Sequence, residues 1–499
     1  MKIKTAASIP LYYSVTAAVI IFSYFSFSYP WYPFFNSDAA LSVLMSYDYH
    51  FPADLYCWGQ DRGGTLEMML AHIFIFCFHT GPLLTASVVH YLLLAGGLLA
   101  SFHFVKKPFY RFALAVLWFF PSRFFIDTIL YQFGIQFSIF MMALFFFSKA
   151  MQHERRKLLW LSISFLLMIL NIWVLDLGII PVFLLFAFML YHFLSGKKES
   201  GSYAAQLKAF FSKNGLLLFT AWAAAGAWFI VFAKGHATGF NSFPETSLNS
   251  FAGIVEVLGI AAGILKANFL MQGNPAQCLY LYASTIFLVL LTIQPGKEKN
   301  GLQSFFRKYF LYGSLAGIFI LLLLKQVLVS GLPARYFAGC YLSFSLFAVM
   351  KLEADGARPL LRLSLVLLLA CSAASALYEN YIPERLRPMV KNFQRLQDLK
   401  PVGIIGSYWN AYVFSAIDPV QIKATPHDRD NVRNAKAATE TLEQPRILLI
   451  QNEWLEHFPD TVTQFGVPLK KSGDPFLLGT YVSWQELNEV MACEYAKTP

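Results

Sequence analysis

This 499-residue chain has few charged residues, few cysteines and no glycine-rich phosphate loop. Its six cysteines show no paired spacing and no Cys-x-x-Cys motif, so the sequence signals neither a disulfide framework nor a metal site. No internal repeat and no low-complexity segment is present, and nothing marks a nucleotide site. These absences argue against a disulfide-rich secreted domain, a zinc protein and a nucleotide-dependent enzyme.

The abundant residues are apolar. The hydrophobic fraction is 57%, charged residues make up only 14%, and phenylalanine alone occurs 50 times. No soluble domain needs that much apolar surface, so the composition predicts a mainly α-helical, polytopic membrane protein. The first apolar segment, Leu11 to Phe27, is followed by aromatic bulk where a signal peptidase requires small residues. We therefore interpret it as a retained span.

Basic residues fall into six clusters between the apolar runs, and these clusters hold 20 of the 39 lysines and arginines. The positive-inside rule places such clusters in the cytoplasm, so an even number of crossings must join each neighbouring pair. Placement of these basic clusters in the cytoplasm also accounts for the net charge of +10, so the charge does not require a nucleic-acid partner. The parity of the crossings predicts about eleven spans, with the N-terminus inside the cell and the C-terminus outside. The predicted spans are Leu11–Phe27, Leu83–Val105, two within Phe109–Ser148, two within Leu158–Leu194, Leu216–Phe232, Leu279–Ile293, Tyr309–Val329, Phe337–Met350 and Leu360–Leu377.

Two apolar runs do not fit as crossings. Leu66 to Phe78 is short of the roughly 20 residues that a span needs; it carries Glu67 and His72, and His79 directly follows it. Phe251 to Met271 has one apolar helical face opposite Glu256 and Lys266. We expect both to lie in the outer membrane interface, within outer loops at residues 30–82 and 234–276.

The composition changes after Tyr378. Residues 1–379 are predicted to form the membrane domain, and residues 380–499 are polar and mixed. Strand-like runs at residues 402–405 and 447–450 alternate with helix-like stretches at 409–416 and 430–442. Such alternation predicts a small α/β domain, which parity places outside the membrane.

The first outer loop gathers polar residues beside the membrane, namely Asp38, Asp48, Asp54, Asp61 and Arg62. Asp38 follows Ser37 and precedes Ala39-Ala40-Leu41, so one interpretation is a helix N-cap supplied by Ser37 or Asp38. The functional alternative is a general base at the membrane surface.

A second motif is the turn Trp58-Gly59-Gln60-Asp61-Arg62-Gly63-Gly64. Glycines on both sides of a charged pair indicate a tight turn that presents its side chains. The plain interpretation is a surface turn with an internal Asp-Arg pair. The functional alternative makes Arg62 a phosphate ligand, because its planar donor fork matches phosphate oxygens.

A third element comprises Lys325, Arg335 and Tyr336. The predicted topology places Lys325 in the outer third of a span and Arg335 at the outer mouth of the next. Ionisable residues at membrane depth are functional candidates, although a lysine near the interface also reaches water by snorkelling.

These motifs, in this order, resemble the GT-C superfamily of membrane glycosyltransferases, which take a sugar from a polyprenyl-phosphate carrier. Ser37-Asp38-Ala39-Ala40 looks like the acidic motif after the first span, where the catalytic Asp lies. Many members have a second acidic residue directly after that Asp, and Ala39 stands there in this chain. Ala334-Arg335-Tyr336-Phe337 is similar to the Arg-Tyr pair near the carrier phosphate. Gly406-Ser407-Tyr408-Trp409-Asn410-Ala411-Tyr412 looks like a Tyr-Trp-x-Ala-Tyr element in the outer domain of some bacterial members.

The resemblance implies a multi-pass enzyme of the bacterial inner membrane. Its donor would be a sugar on a polyprenyl phosphate, and its acceptor a periplasmic glycan or lipid-linked glycan. Asp38 would be the general base with Asp61 as the second candidate, and Arg62, Lys325, Arg335 and Tyr336 would bind substrate. No cofactor is implied, and a divalent metal is not signalled.

Two alternatives stay open. An O-antigen polymerase or ligase would share the spans and the outer cations, but its main outer loop typically comes late in the chain. A lipid-linked sugar transporter or flippase should show internal repeats and polar residues near mid-membrane. No internal repeat is present and charges within the spans are scarce, which counts against this alternative.

Overall fold

The computed structural model describes residues 8–32, 35–152, 154–194, 213–238, 247–294, 301–356, 358–378, 393, 395–483 and 486–498. The chain forms two compact units. We call the first the helical unit; it comprises Met1–Ser23, Leu92–Phe232 and Ser242–Tyr378. The second, the mixed unit, comprises Tyr24–Tyr91, Ala233–Asn241 and Glu379–Pro499.

Sixteen helices are described up to residue 378. In chain order they are α1 (Ser8–Phe27), α2 (Ser37–Tyr47), α3 (Leu66–Phe78), α4 (Pro82–Ser101), α5 (Pro108–Phe119), α6 (Asp127–Leu130), α7 (Gln132–Gln152), α8 (Lys157–Val174), α9 (Ile179–Leu194), α10 (Lys213–Gly235), α11 (Phe251–Phe269), α12 (Pro275–Ile293), α13 (Leu302–Leu323), α14 (Lys325–Val329), α15 (Ala338–Asp355) and α16 (Pro359–Leu377).

Within the described residues, 10 helices are long and apolar enough to cross a membrane, or 11 if a bent pair counts as one span. The bent pair is α5 with residues 123–130, which turn by 67° after the break at Pro121. The prediction of a mainly helical, polytopic fold is confirmed. The predicted breaks near Pro121 and Asp176 are also present, because α8 ends at Val174 and α9 begins at Ile179.

The structure differs from the predicted spans at Leu324. The sequence predicts one span from Tyr309 to Val329, but α13 ends at Leu323 and Lys325 begins the separate helix α14. The amide Nδ2 of Asn249 donates hydrogen bonds to the carbonyl oxygens of Leu322 (3.0 Å) and Leu324 (3.3 Å). Because the Asn249 side chain donates hydrogen bonds to the last carbonyl oxygens of α13, the helix ends there. The sequence around Leu324 does not indicate this contact, since Asn249 lies far away in the chain.

The two helices expected in the interface are both present. Helix α3 has the predicted bounds. Helix α11 is also long and apolar enough to cross a membrane, so its interfacial position stays a prediction. The outer loop expected at 234–276 includes residues 239–246, which lie outside the described part.

The C-terminal part of the mixed unit is an α/β structure, as predicted. In the described residues seven strands form one sheet. The elements are helices α17 (Leu396–Leu399), α18 (Tyr408–Ile417) and α19 (Ala435–Leu442), and strands β1 (Val402–Gly406), β2 (Ile422–Pro426), β3 (Ile447–Ile450), β4 (Thr461–Gln464), β5 (Val467–Lys471), β6 (Phe476–Ser483) and β7 (Glu486–Lys497).

The sheet order is β2-β1-β3-β7-β5-β4, with β6 also paired to β7. Strand β1 pairs in parallel with β2 and β3, and all five of its residues are buried. A central parallel strand covered on both faces needs a continuous apolar run, which Val402-Gly403-Ile404-Ile405-Gly406 supplies. Gly403 is required by packing, since a Cβ there would lie 2.2 Å from the carbonyl oxygen of Thr441.

The domain boundary at residue 379 stays a prediction, and residues 379–392 lie outside the described part. Within the mixed unit, the first-loop segment joins the C-terminal residues in one compact body. The helix expected at 430–442 begins later, at Ala435, because Asn434 caps it by accepting from the backbone N–H groups of Lys436 (2.9 Å) and Ala437 (3.3 Å).

Candidate active site

Asp38 lies in the first turn of α2, in the mixed unit, and its side chain is half-buried. The N-cap of α2 is Asn36, whose Oδ1 accepts a 3.2 Å hydrogen bond from the backbone N–H of Ala39. The capping interpretation of Ser37 or Asp38 is therefore wrong. The carboxylate of Asp38 is therefore not used to cap α2.

The Asp38 carboxylate contacts the C-terminal part of the same unit. The hydroxyl of Tyr408 donates a 2.5 Å hydrogen bond to Oδ1 of Asp38. The Asp38 side chain makes no other hydrogen bond or ion pair with a residue in the described ranges, so Oδ2 remains open. A carboxylate has about four acceptor positions, so most of its hydrogen-bonding capacity is unused.

The topology of the sheet places Tyr408 at the edge where the parallel strands end. The parallel strands β1, β2 and β3 end at the same edge of the sheet, and Tyr408 is the first residue of the helix that follows β1. Ligands of open α/β sheets bind outside this carboxyl edge. The backbone N–H of Tyr408 donates a 2.6 Å hydrogen bond to Oδ2 of Asp430, which lies in the loop after β2.

Arg433 is the cation that the structure adds to this cluster. Its guanidinium carbon lies 5.3 Å from the ring centroid of Tyr408, and Nη1 donates a 3.0 Å hydrogen bond to the carbonyl oxygen of Gly59. Its Nε is buried and has no hydrogen-bond partner in the described part of the chain. This Nε–H is therefore an unsatisfied charged donor next to the Tyr408 ring.

The electrostatics keep Tyr408 in its neutral form. Burial, followed by the adjacent Asp38 carboxylate, raises the pKa of the Tyr408 hydroxyl well above its ordinary value. Tyr408 therefore remains a proton donor in its hydrogen bond with Asp38 across the physiological pH range.

Two other first-loop carboxylates have structural partners. Asp54 is buried and accepts from the backbone N–H of His50 (2.7 Å) and from Nε1 of Trp58 (2.9 Å), so it organises the loop. Burial raises the pKa of the Asp54 carboxyl. Although burial opposes it, the hydrogen bond from Lys436 lowers the pKa of Asp48, and Nζ of Lys436 lies 2.6 Å from Oδ2.

Asp61 and Arg62 lie on the tight turn that the sequence predicts. The backbone N–H of Cys57 donates a 2.8 Å hydrogen bond to the carbonyl oxygen of Gly63, and Gly59 has φ +68°. Both charged side chains are half-buried. Asp61 makes no hydrogen bond or ion pair with the residues that the structure describes.

Lys325, Arg335 and Tyr336 lie in the helical unit. Arg335 and Tyr336 belong to a short 3₁₀ helix, Ala334–Phe337, that leads into α15. Arg335 is half-buried and its guanidinium carbon lies 5.8 Å from the ring centroid of Tyr336. The Arg335 side chain forms no hydrogen bond or ion pair within the described ranges. The backbone N–H of Lys325 donates a 3.1 Å hydrogen bond to the carbonyl oxygen of Ser247.

Tyr336 also lines an apolar groove within the helical unit. The groove has about 580 Å³ of empty space, including the part open to the surroundings. Its walls include Phe133, Ile180, Leu184, Gly313, Leu321 and Gly339. The Tyr336 hydroxyl accepts a 3.3 Å hydrogen bond from Nε2 of Gln326. The groove can hold a hydrocarbon chain, and Arg335, next to Tyr336 in the chain, has no acidic partner among the described residues.

The described residues contain no group of three or more His, Cys, Asp or Glu side chains placed to hold a metal ion. The sequence reasoning also missed Arg433, since a single arginine in a polar loop carries no local signal. Tyr408 was noted only as part of the Tyr-Trp-x-Ala-Tyr element. Its partnership with Asp38 is a tertiary contact between residues 370 positions apart.

Solved structures of ArnT from Cupriavidus metallidurans are similar to this chain. The apo structure is 11% identical and the structure bound to undecaprenyl phosphate 10% identical; each covers 98% of both chains with a TM-score of 0.43. The oligosaccharyltransferase AglB from Archaeoglobus fulgidus, in complex with an inhibitory peptide and a dolichol-phosphate, is 14% identical and has a TM-score of 0.36. That match covers 88% of this chain and 69% of AglB. No family model and no curated protein matches the chain.

Proposed function

We propose that this protein is an inner-membrane glycosyltransferase that moves a sugar from a polyprenyl-phosphate carrier to a glycan or lipid-linked acceptor. The observation that carries the proposal is the state of Asp38. One oxygen of its carboxylate accepts from Tyr408, and the other has no partner in the described chain. A carboxylate held on one side and open on the other suits a general base.

The proposed reaction is a single displacement with inversion. The acceptor hydroxyl oxygen forms a bond to the anomeric carbon, while the bond from that carbon to the phosphate oxygen breaks. Asp38 takes the hydroxyl proton, and the electron pair leaves with the lipid phosphate. No metal and no nucleotide enters this balance.

Arg335 and Tyr336 are the proposed carrier-binding residues. The groove beside Tyr336 is apolar and suits a polyprenyl chain, and Arg335 has no acidic partner in the described chain. A guanidinium group binds phosphate oxygens through two parallel hydrogen bonds. Arg62 and Lys325 are proposed as further cations that stabilise the departing phosphate.

The direct test uses purified protein and synthetic donors. Undecaprenyl-phosphate sugars and an undecaprenyl-diphosphate-linked glycan are supplied separately, with a membrane lipid extract as the source of acceptor. We expect release of undecaprenyl phosphate from a monophosphate donor. Turnover of the diphosphate donor alone would instead support a polymerase or ligase. Movement of intact lipid-linked sugar across sealed vesicles, without cleavage, would support a transporter.

A further inference from the structure

We infer that Tyr408 is a positioning residue for Asp38, so that the C-terminal sheet supplies part of the catalytic centre. The inference rests on the proposed function and assigns a role that the sequence motifs do not give. It concerns residues of the mixed unit only.

The first argument is that the two oxygens of the Asp38 carboxylate have different surroundings. Tyr408 donates to Oδ1 of Asp38, and Oδ2 has no partner in the described ranges. A hydrogen bond to one oxygen fixes the rotation of the carboxylate and thereby the direction of the other oxygen. The open oxygen can then accept the proton of an acceptor hydroxyl, and a base must be held in such geometry to act.

The second argument is that Tyr408 is itself held firmly. Its side chain is only 4% exposed, and its backbone N–H is held by Asp430. The ring stands edge-on to the rings of Trp409 and Tyr412, with centroids 5.2 Å and 6.1 Å away. Arg433 covers its face. The hydroxyl therefore has little freedom, whereas a chance surface contact would be mobile.

The third argument is that the bond is not needed for helix formation. Asn36 already caps α2, and α18 follows directly from the buried strand β1. The Asp38–Tyr408 contact joins two elements that have their own local reasons to form. We therefore assign the hydrogen bond from the Tyr408 hydroxyl the role of orienting the Asp38 carboxylate.

The test removes only the hydroxyl. Tyr408→Phe keeps the ring and its packing but loses the donor to Asp38. The matched control is Tyr495→Phe, which loses a buried hydroxyl that donates a 2.6 Å hydrogen bond to Pro459 in the same domain. Both variants are measured as full-length protein for kcat, for KM of the polyprenyl-phosphate sugar, and for the fraction of the protein that is folded and active.

We expect Tyr408→Phe to lower kcat at least about tenfold, in keeping with the loss of a hydrogen bond to a charged group, while KM for the donor stays unchanged. A lower kcat with an unchanged KM separates an effect on the chemical step from an effect on donor binding. Tyr495→Phe should leave kcat unchanged. A purely structural role for Tyr408 would lower the active fraction but leave the kcat of the folded enzyme unchanged, and that result would overturn the inference.

The Asp38→Asn background separates this inference from the proposed function. If Tyr408 acts through Asp38, adding Tyr408→Phe to Asp38→Asn should cause no further loss. Losses that multiply, or a Tyr408→Phe variant with wild-type kcat, would overturn the inference alone. An Asp38→Asn variant with wild-type turnover would overturn the proposed function, and the inference with it.

Discussion

Nη1 of Arg433 donates a 3.0 Å hydrogen bond to the carbonyl oxygen of Gly59, a residue with φ +68°. This contact links the glycine-flanked turn of the first loop to the loop before α19. The turn is therefore not an isolated surface feature. It carries the carbonyl that holds the arginine over the ring of Tyr408.

We predict that Gly59→Ala lowers activity without preventing insertion of the protein. A Cβ at Gly59 would lie 2.8 Å from Cδ of Arg433, and a positive φ is unfavourable for alanine. The guanidinium group would have to leave the Tyr408 ring. The matched control is Gly81→Ala, where a Cβ meets nothing within 4 Å. Transfer rates of the two purified variants decide the point, and equal rates would contradict the role assigned to the turn.

Arg335→Ala should raise the apparent KM for the polyprenyl-phosphate donor or abolish transfer, with the protein still inserted and monodisperse. Arg335→Lys should restore only part of the affinity, because a point charge does not form the paired hydrogen bonds of a guanidinium group. Arg358→Ala serves as the control, since this exposed arginine also precedes a long helix. Full activity of Arg335→Ala at low donor concentration would rule out the assignment.

A bulky side chain in the groove beside Tyr336 should hinder binding of the polyprenyl-phosphate carrier. Gly313 lies on the groove wall, whereas Leu315 on the same helix is 53% exposed and points away from the core. We expect Gly313→Trp to weaken binding of undecaprenyl phosphate, measured by native mass spectrometry, and Leu315→Trp to leave it unchanged. If both variants bind the lipid like the wild type, the groove is not the carrier site.

Topology can be tested by labelling single cysteines in a chain whose other cysteines have been replaced. The six basic clusters predict that residue 497 is outside and residue 106 inside. A membrane-impermeant thiol reagent added to intact spheroplasts should therefore label a cysteine at Lys497 and not one at Lys106. The reverse pattern would overturn the predicted orientation.

Much of the helical fold could be predicted from composition and charge. Apolar runs of span length and the polar breaks at Pro121 and Asp176 are local signals, and helix α3 was predicted to the residue. The end of α13 was not predictable in this way. It depends on the Asn249 amide, which reaches the last carbonyls from a distant segment.

The site was predictable in part. Asp38 stands out because of its place after the first apolar run, and β1 is an obvious buried strand. Strand β2 was missed because Ile422-Lys423-Ala424-Thr425-Pro426 is short and mixed. Without β2 the sequence does not predict where the parallel strands end. The position of Tyr408 at that edge and its contact with Arg433 therefore could not be predicted.

The most direct test of the account is transfer by Asp38→Asn. Asparagine keeps the size of the side chain, and Asn36 rather than Asp38 caps α2, so the variant should insert and fold normally. A positioned base contributes about 10²–10⁴-fold to rate, and we predict a loss of at least the lower figure. Asp61→Asn, a change to a nearby half-buried carboxylate with no partner in the described chain, is the matched control and should lose far less. Near-wild-type transfer by correctly inserted Asp38→Asn would contradict the account and make Asp61 the next candidate for the base.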